Sequence, residues 1–154
     1  MMVQGGHQEI PQEVQKVADD LMRRGIFDEL FMPPIILVES VMKRDVVMLD
    51  HTKTAYDAAA LMIKKGIGCV IVTAYGQPFG IITERDIVGA VVGLKIPLEN
   101  LILNILASRP LICTTPSQTI EEAAELMRRY NIRRLPVVKE GKIVGIVTIR
   151  DLVR

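Results

Sequence analysis

Tryptophan is absent from these 154 residues, and the whole aromatic share is only 4%. So few aromatics argue against a stacking platform for single-stranded nucleic acid. Histidine occurs twice. His7 falls in a polar leading stretch and His51 in a turn, and neither has a Cys, Asp or Glu at zinc-ligand spacing. Cysteine also occurs twice, as Cys69 and Cys113, each in an apolar β-type run. Buried free thiols are expected there rather than a disulfide. Neither a serine elbow nor a Walker lysine motif is present. Paired carboxylates such as Asp19-Asp20 fall on an expected surface helix. No catalytic constellation emerges, and no enzyme, metal or cofactor is expected. The apolar runs stop well short of the roughly 20 residues that span a bilayer. The start, MMVQGGHQEIPQ, is polar, unlike a secretory leader. A cytoplasmic protein without a membrane partner is the expectation.

Charge of one sign is also scarce, with a net of +1, but it is unevenly spread. Residues 1–37 carry Lys16, Arg23 and Arg24 against Glu9, Glu13, Asp19, Asp20, Asp28 and Glu29. The last third is basic, with Arg128-Arg129 and Arg133-Arg134. Such a run reads either as a solvated face or as an attraction for phosphate. Hydrophobic residues make up 49%, enough for a substantial core.

What the chain does have is a repeat. GIITERDIVG at 80–89 returns as GIVTIRDLVR at 145–154, an offset of 65 residues. Gly80/Gly145, Thr83/Thr148, Arg85/Arg150 and Asp86/Asp151 stay in register. The match extends without a gap over about 41–89 and 106–154, through Thr54/Thr119, Ala58/Ala123, Met62/Met127 and Ile67/Ile132. Each copy reads alike. A short strand (46–49, 111–114) is followed by a helix (about 54–65, 119–130). Two strands joined by a Gly turn (68–83, 133–148) come next, and then a helix opening at Thr-x-Arg-Asp. The expected fold is α/β, a tandem of β-α-β-β-α units with pseudo-twofold symmetry and a ligand cleft between the copies. The expected boundaries are an N-terminal helical extension at 1–37, a first repeat plus linker at 38–104, and a second repeat at 105–154 with its last helix truncated. The extension, IPQEVQKVADDLMRRGIFDELF, places Val14, Val17, Ala18 and Leu21 on one helical face, and Met32-Pro33-Pro34 should end it. It is expected to pack on the lobes or at a dimer contact.

The Thr-x-Arg-Asp turn carries two readings. Thr with an acid three residues later is a capping box, with Asp86 and Asp151 complementing the helix dipole. Against that, Arg85 and Arg150 sit in a first helical turn, where a cation is disfavoured by roughly 0.3–1 kcal/mol. A bound anion would reverse that sign. Both readings stay open on the residues alone.

The paired units, and above all TIEEAAELMRRYNIRRLPVVKEGKIVGIVTIRDLV, resemble a pair of CBS domains, named after cystathionine β-synthase. The resemblance covers about residues 38–154. It implies a regulatory module that binds an adenosyl ligand (AMP, ADP, ATP or S-adenosylmethionine) through Gly-hydrophobic-x-Thr/Ser-x-x-Asp/Asn. By that resemblance Asp86 and Asp151 hold ribose hydroxyls, Thr83 and Thr148 lie near phosphates, and Arg85 and Arg150 pair with them. Adenine would rest on Val46, Val47 and Ile67 in one site and on Leu111, Ile112 and Pro136 in the other. Arg133 and Arg134, with Arg128 and Arg129, favour polyphosphates in the second copy, while the truncated last helix of that copy argues the other way. The second copy has Pro136 where the first has Ile71, so the two sites should differ. A homodimer is expected, regulating a separate protein chain. The alternatives are a ligand-free dimerisation module and nucleic-acid binding through the basic second repeat; near-neutral charge speaks against the latter.

Overall fold

The computed structural model describes residues 10–31 and 34–153. In chain order they form α1 (Gln12–Phe31), β1 (Met48–Asp50), α2 (Ala55–Lys65), β2 (Cys69–Ala74), β3 (Gln77–Thr83), α3 (Glu84–Gly89), α4 (Leu103–Leu106), α5 (Ile120–Tyr130), β4 (Arg134–Lys139) and β5 (Lys142–Thr148). Short 3-10 turns lie at Val38–Ser40, Leu98–Asn100 and Ile149–Leu152, and a π turn at Ala90–Leu94 extends α3. The fold is mixed α/β. His7 and the Met32-Pro33 step lie outside the described residues. Among the described residues no helix is long and apolar enough to cross a membrane.

Two compact units arise, and they do not follow the chain in simple order. One is Val46–Leu111; the other joins the described residues up to Asp45 with those from Ile112 onward. In the first unit β1 runs parallel to β2, and β2 pairs antiparallel with β3. Ser108 bonds β3 from outside the strands. Its amide donates to the Ile81 carbonyl at 2.9 Å, and the Ile81 amide returns a bond at 3.1 Å. In the second unit β4 and β5 pair antiparallel. Lys43 plays the part of Ser108 there, exchanging bonds of 2.9 and 2.8 Å with Ile146. The opening stretch of each copy therefore bonds the last strand of the other copy.

Local chemistry explains why both copies fold alike. Thr54 and Thr119 cap α2 and α5 through capping boxes with Asp57 and Glu122. Each hairpin turns on two residues with positive φ, Tyr75-Gly76 and Glu140-Gly141, the backbone of a type I′ turn. A bulge recurs at equivalent places, Val72/Thr73 and Val137/Val138. Gly80 and Gly145 are required by close approach: a Cβ on Gly80 would meet the Ser108 carbonyl oxygen at 2.6 Å, and one on Gly145 the Lys43 oxygen at 2.9 Å.

The strand expected over 111–114 shrinks to one parallel bridge, Thr114 to Val137. The reason is Pro136. In the first unit Ile71 donates its amide to the Val47 carbonyl at 3.0 Å. Pro136 occupies the same place and has no amide to give. The segment from Ile112 is held instead through Thr114, whose amide donates to Pro136 O and whose carbonyl accepts from Val138, both at 2.9 Å. Neither cysteine forms a disulfide among the described residues, and both are half-buried rather than fully buried; burial pushes the Cys113 thiol pKa up.

The core of the first unit gathers Ala58, Met62, Val70, Val72, Ile82 and Leu103. That of the second gathers Ile120, Ala123, Met127, Leu135, Val147 and Leu152 with Val14, Ala18 and Leu21 of α1. The extension thus packs on the second unit, with the face its periodicity indicates turned inward.

Candidate functional site

Each Thr-x-Arg-Asp turn follows directly on a strand, because β3 and β5 end at Thr83 and Thr148. In the first copy Asp86 Oδ2 accepts from the Thr83 amide at 2.8 Å and from the Thr83 hydroxyl at 3.0 Å. The Asp86 amide donates back to Thr83 Oγ1 at 3.3 Å. In the second, Asp151 Oδ2 accepts from the Thr148 amide at 2.8 Å and its hydroxyl at 3.1 Å. The next amide is also spoken for: Glu84 donates to Gly68 O at 3.0 Å and Ile149 to Arg133 O at 2.9 Å. The capping reading of the motif is therefore realised in both copies. It engages one carboxylate oxygen of each Asp.

The second oxygen distinguishes the copies. Asp86 Oδ1 accepts no hydrogen bond from the described residues, whereas Asp151 Oδ1 has Lys43 Nζ at 3.8 Å. Both arginines are exposed. Arg85 has no ion pair among the described residues, while Arg150 Nε lies 4.0 Å from Glu13 Oε1. Arg133 is tied more closely to the same Glu13, at 3.0 Å. Arg128 pairs with Glu125, which lowers the carboxyl pKa through the hydrogen bond. Arg134 lies half-buried in β4 opposite Thr148. The basic run is thus partly consumed by internal acids, a competition that sequence spacing alone does not reveal.

The apolar candidates divide. Val47 and Ile67 pack on one core cluster of the first unit, and Val46 is half-buried beside them in sequence. Ile112 packs on the core of the second unit and Pro136 is buried in β4. Leu111 is half-buried at the end of the first unit's span. His51 proves to be structural. Its Nδ1 meets the Asn104 amide nitrogen at 2.7 Å, and its ring leans on Tyr75 and Phe79, with Arg109 over Phe79.

Two concavities are present that neither Thr–Asp pair lines. One, of about 730 Å³, runs along the polar face of α1. The other, of about 390 Å³, lies between α2 and α3 and mixes aliphatic side chains with Glu84 and backbone at Gly66 and Gly68. Among the described residues no cluster of His, Cys, Asp and Glu is arranged to hold a metal.

Comparison with known proteins agrees with the repeat. The CBS domain family model matches residues 38–93 and 103–154. An uncharacterized protein of Methanopyrus kandleri, MK0525, is 40% identical over 121 residues, covering 77% of this chain and 62% of that one. The chain thus spans somewhat less than two thirds of that relative's length. A CBS domain protein of Pyrobaculum aerophilum, PAE2072, solved in complex with AMP, is 33% identical with a TM-score of 0.69, covering 75% of this chain and 89% of that one. The CBS domain pair of protein MJ0100, solved with 5-methylthioadenosine and S-adenosyl-L-methionine, is 29% identical with a TM-score of 0.69, covering 77% and 94%. This chain belongs to the CBS-domain proteins and carries two tandem copies of the domain.

Proposed function

We propose that this chain is a regulatory module that senses an adenosyl ligand (AMP, ADP, ATP or S-adenosylmethionine) through its Thr-x-Arg-Asp turns and relays occupancy to a separate protein. The observation that carries the reading is the uncommitted half of the Asp86 carboxylate. One oxygen fixes the turn, and the other is left to accept from a vicinal diol such as the ribose 2′- and 3′-hydroxyls. Related structures with AMP, methylthioadenosine and S-adenosylmethionine support the ligand class. In this reading Asp86 and Asp151 take the ribose, Thr83 and Thr148 border the phosphates, and Arg85 and Arg150 neutralise them. Val46, Val47 and Ile67, or Leu111, Ile112 and Pro136, supply aliphatic surface for adenine. The first copy is the readier site, because Arg85 and Asp86 have no ion pair among the described residues, where Arg150 faces Glu13 and Asp151 faces Lys43. Arg133 and Arg134 would add polyphosphate contacts only if Arg133 leaves Glu13. The ligand acts by binding two conformations with different affinity.

Isothermal titration of nucleotide-free protein tests this. Saturable binding of one adenosyl ligand and not GTP is expected, with Asp86→Asn costing more affinity than Asp151→Asn. Binding that survives both substitutions together would remove the assignment. A second reading, a homodimerising module whose turns are only helix caps, is favoured by the Thr83 hydroxyl, which already both donates and accepts within its own turn. It leads to a dimer with no heat of nucleotide binding.

A further inference from the structure

At the offset of 65 residues, the surroundings of the two Thr-x-Arg-Asp turns differ in charge at two places. The first lies beside the last strand of each copy. Lys43 exchanges backbone bonds with Ile146 of β5, and Ser108 does the same with Ile81 of β3, so the two residues hold equivalent positions. The second lies across each hairpin. Arg134 stands directly opposite Thr148, and Cys69 directly opposite Thr83. Directly opposed residues of an antiparallel pair share one face, with Cβ atoms about 5 Å apart. At both places the second copy has a cation where the first has Ser or Cys.

These two cations are available to a ligand. Lys43 Nζ lies 3.8 Å from Asp151 Oδ1, and its side chain is 70% exposed; its flexible stem lets the ammonium swing. Arg134 makes no ion pair among the described residues. Arg133, on the other face of β4, is tied to Glu13 and is not counted. Within the motifs themselves Arg85 offsets Asp86 and Arg150 offsets Asp151. Of the acids that differ, Glu84 lies on the first turn, against Ile149, and Asp45 lies two residues beyond Lys43, against Pro110. One falls to each copy, so Lys43 and Arg134 remain as the positive excess of the second.

Resting on the adenosyl reading above, we propose that Lys43 and Arg134 make the second copy selective for the number of phosphates on its ligand, ATP over ADP over AMP, whereas the first copy, with Ser108 and Cys69, is indifferent to it. A phosphate chain bordered by Thr148 meets the face that Arg134 shares. Lys43 leaves a single carboxylate for a chain of higher charge, and in leaving frees Asp151 Oδ1 for the ribose diol. A ligand with one phosphate draws it away less. The first copy can still be the tighter site for a given ligand; what differs is the ratio between ligands at one site.

The experiment is isothermal titration with AMP and with ATP, in EDTA, of the full chain carrying Asp86→Asn, which leaves the second turn intact, or Asp151→Asn, which leaves the first. Asn keeps the helix cap, so loss of fold does not account for lost binding. In Asp86→Asn protein ATP should bind about tenfold more tightly than AMP, and the ratio should shrink in about 0.5 M salt. In Asp151→Asn protein the two should bind within about threefold of each other. Adding Lys43→Ser and Arg134→Cys to Asp86→Asn should bring its ratio close to that of the first copy. Adding Ser108→Lys, at an exposed position, to Asp151→Asn should raise its ratio. Equal ratios in the two single variants would overturn the inference and leave the adenosyl reading standing. So would a ratio that Lys43→Ser with Arg134→Cys does not change, or binding by Asp151→Asn protein alone, since the second copy then holds no ligand. Binding of neither nucleotide to the unsubstituted chain overturns the inference, and if S-adenosylmethionine also fails to bind, the adenosyl reading falls with it.

Discussion

The two units use the same local code and close their sheets differently. In the first, β2 is a central strand with partners on both sides, and its helices leave a groove open to solvent. In the second, β4 has a full partner only in β5, and α1 covers the helical face. Two differences account for this: Pro136 in place of Ile71, and an extra helix ahead of the first copy. Caps, hairpins and the Gly that admits a neighbouring strand are shared, so the backbone recurs. What each unit buries, and where a partner can reach it, follows from the differences.

The sharpest test of that contrast is at the helical face. Leu152→Ala should cost about 4 kcal/mol in urea denaturation, because the site is fully enclosed beneath α1. Ile87→Ala, at the equivalent open place, should cost roughly half as much. Equal losses would mean that α1 contributes no burial there. Next in size, Ile71→Pro should destabilise by about 3 kcal/mol, since it removes the amide bond to Val47 from a central strand. Pro136 pairs with Ile146 on the β5 side, and its other edge faces only the Thr114 bridge among the described residues. Hydrogen exchange should show the loss confined to β1 and β2.

Smaller again, Gly80→Ala should cost about 2 kcal/mol, read as a lower melting temperature, because its Cβ must displace the Ser108 carbonyl. Gly145→Ala should cost less, since its nearest obstacle is the Met42 sulfur, at the end of a flexible side chain. At the bottom of the scale, Glu13→Gln removes a half-exposed pair with Arg133. Its cost should stay below about 1 kcal/mol and fade in about 0.5 M salt. A larger, salt-insensitive loss would show that α1 is held by charge rather than by its apolar stripe.

Much of this was legible in the sequence, for physical reasons. Thr54 and Thr119 fix where α2 and α5 begin, and the Gly turns fix both hairpins, so a 65-residue offset locates these elements to within a residue or two. The capping box was readable from Thr and Asp spacing alone. The crossed edges were not: Lys43 and Ser108 each contribute one bridge, too little to leave a periodic signal. The shortened strand before Thr114 did have a signal, Pro136, but only the pairing of Ile71 with Val47 shows what that proline removes. Glu13 on Arg133 is 120 residues distant in sequence, and nothing local announces it. The unpaired apolar face of α1 was visible; its seat became so only once α5 and Leu152 were seen to lack any other cover.

The most direct measurement is thermal unfolding of nucleotide-free protein with AMP, ADP, ATP and S-adenosylmethionine, each at about 1 mM, with GTP as control. A ligand at roughly 100 times its dissociation constant adds about 2.7 kcal/mol. The account predicts that one adenosyl ligand raises the transition and GTP does not, and that Asp86→Asn with Asp151→Asn abolishes the rise. If no adenosyl ligand moves the transition, the sensing claim is contradicted, and the two turns are helix caps.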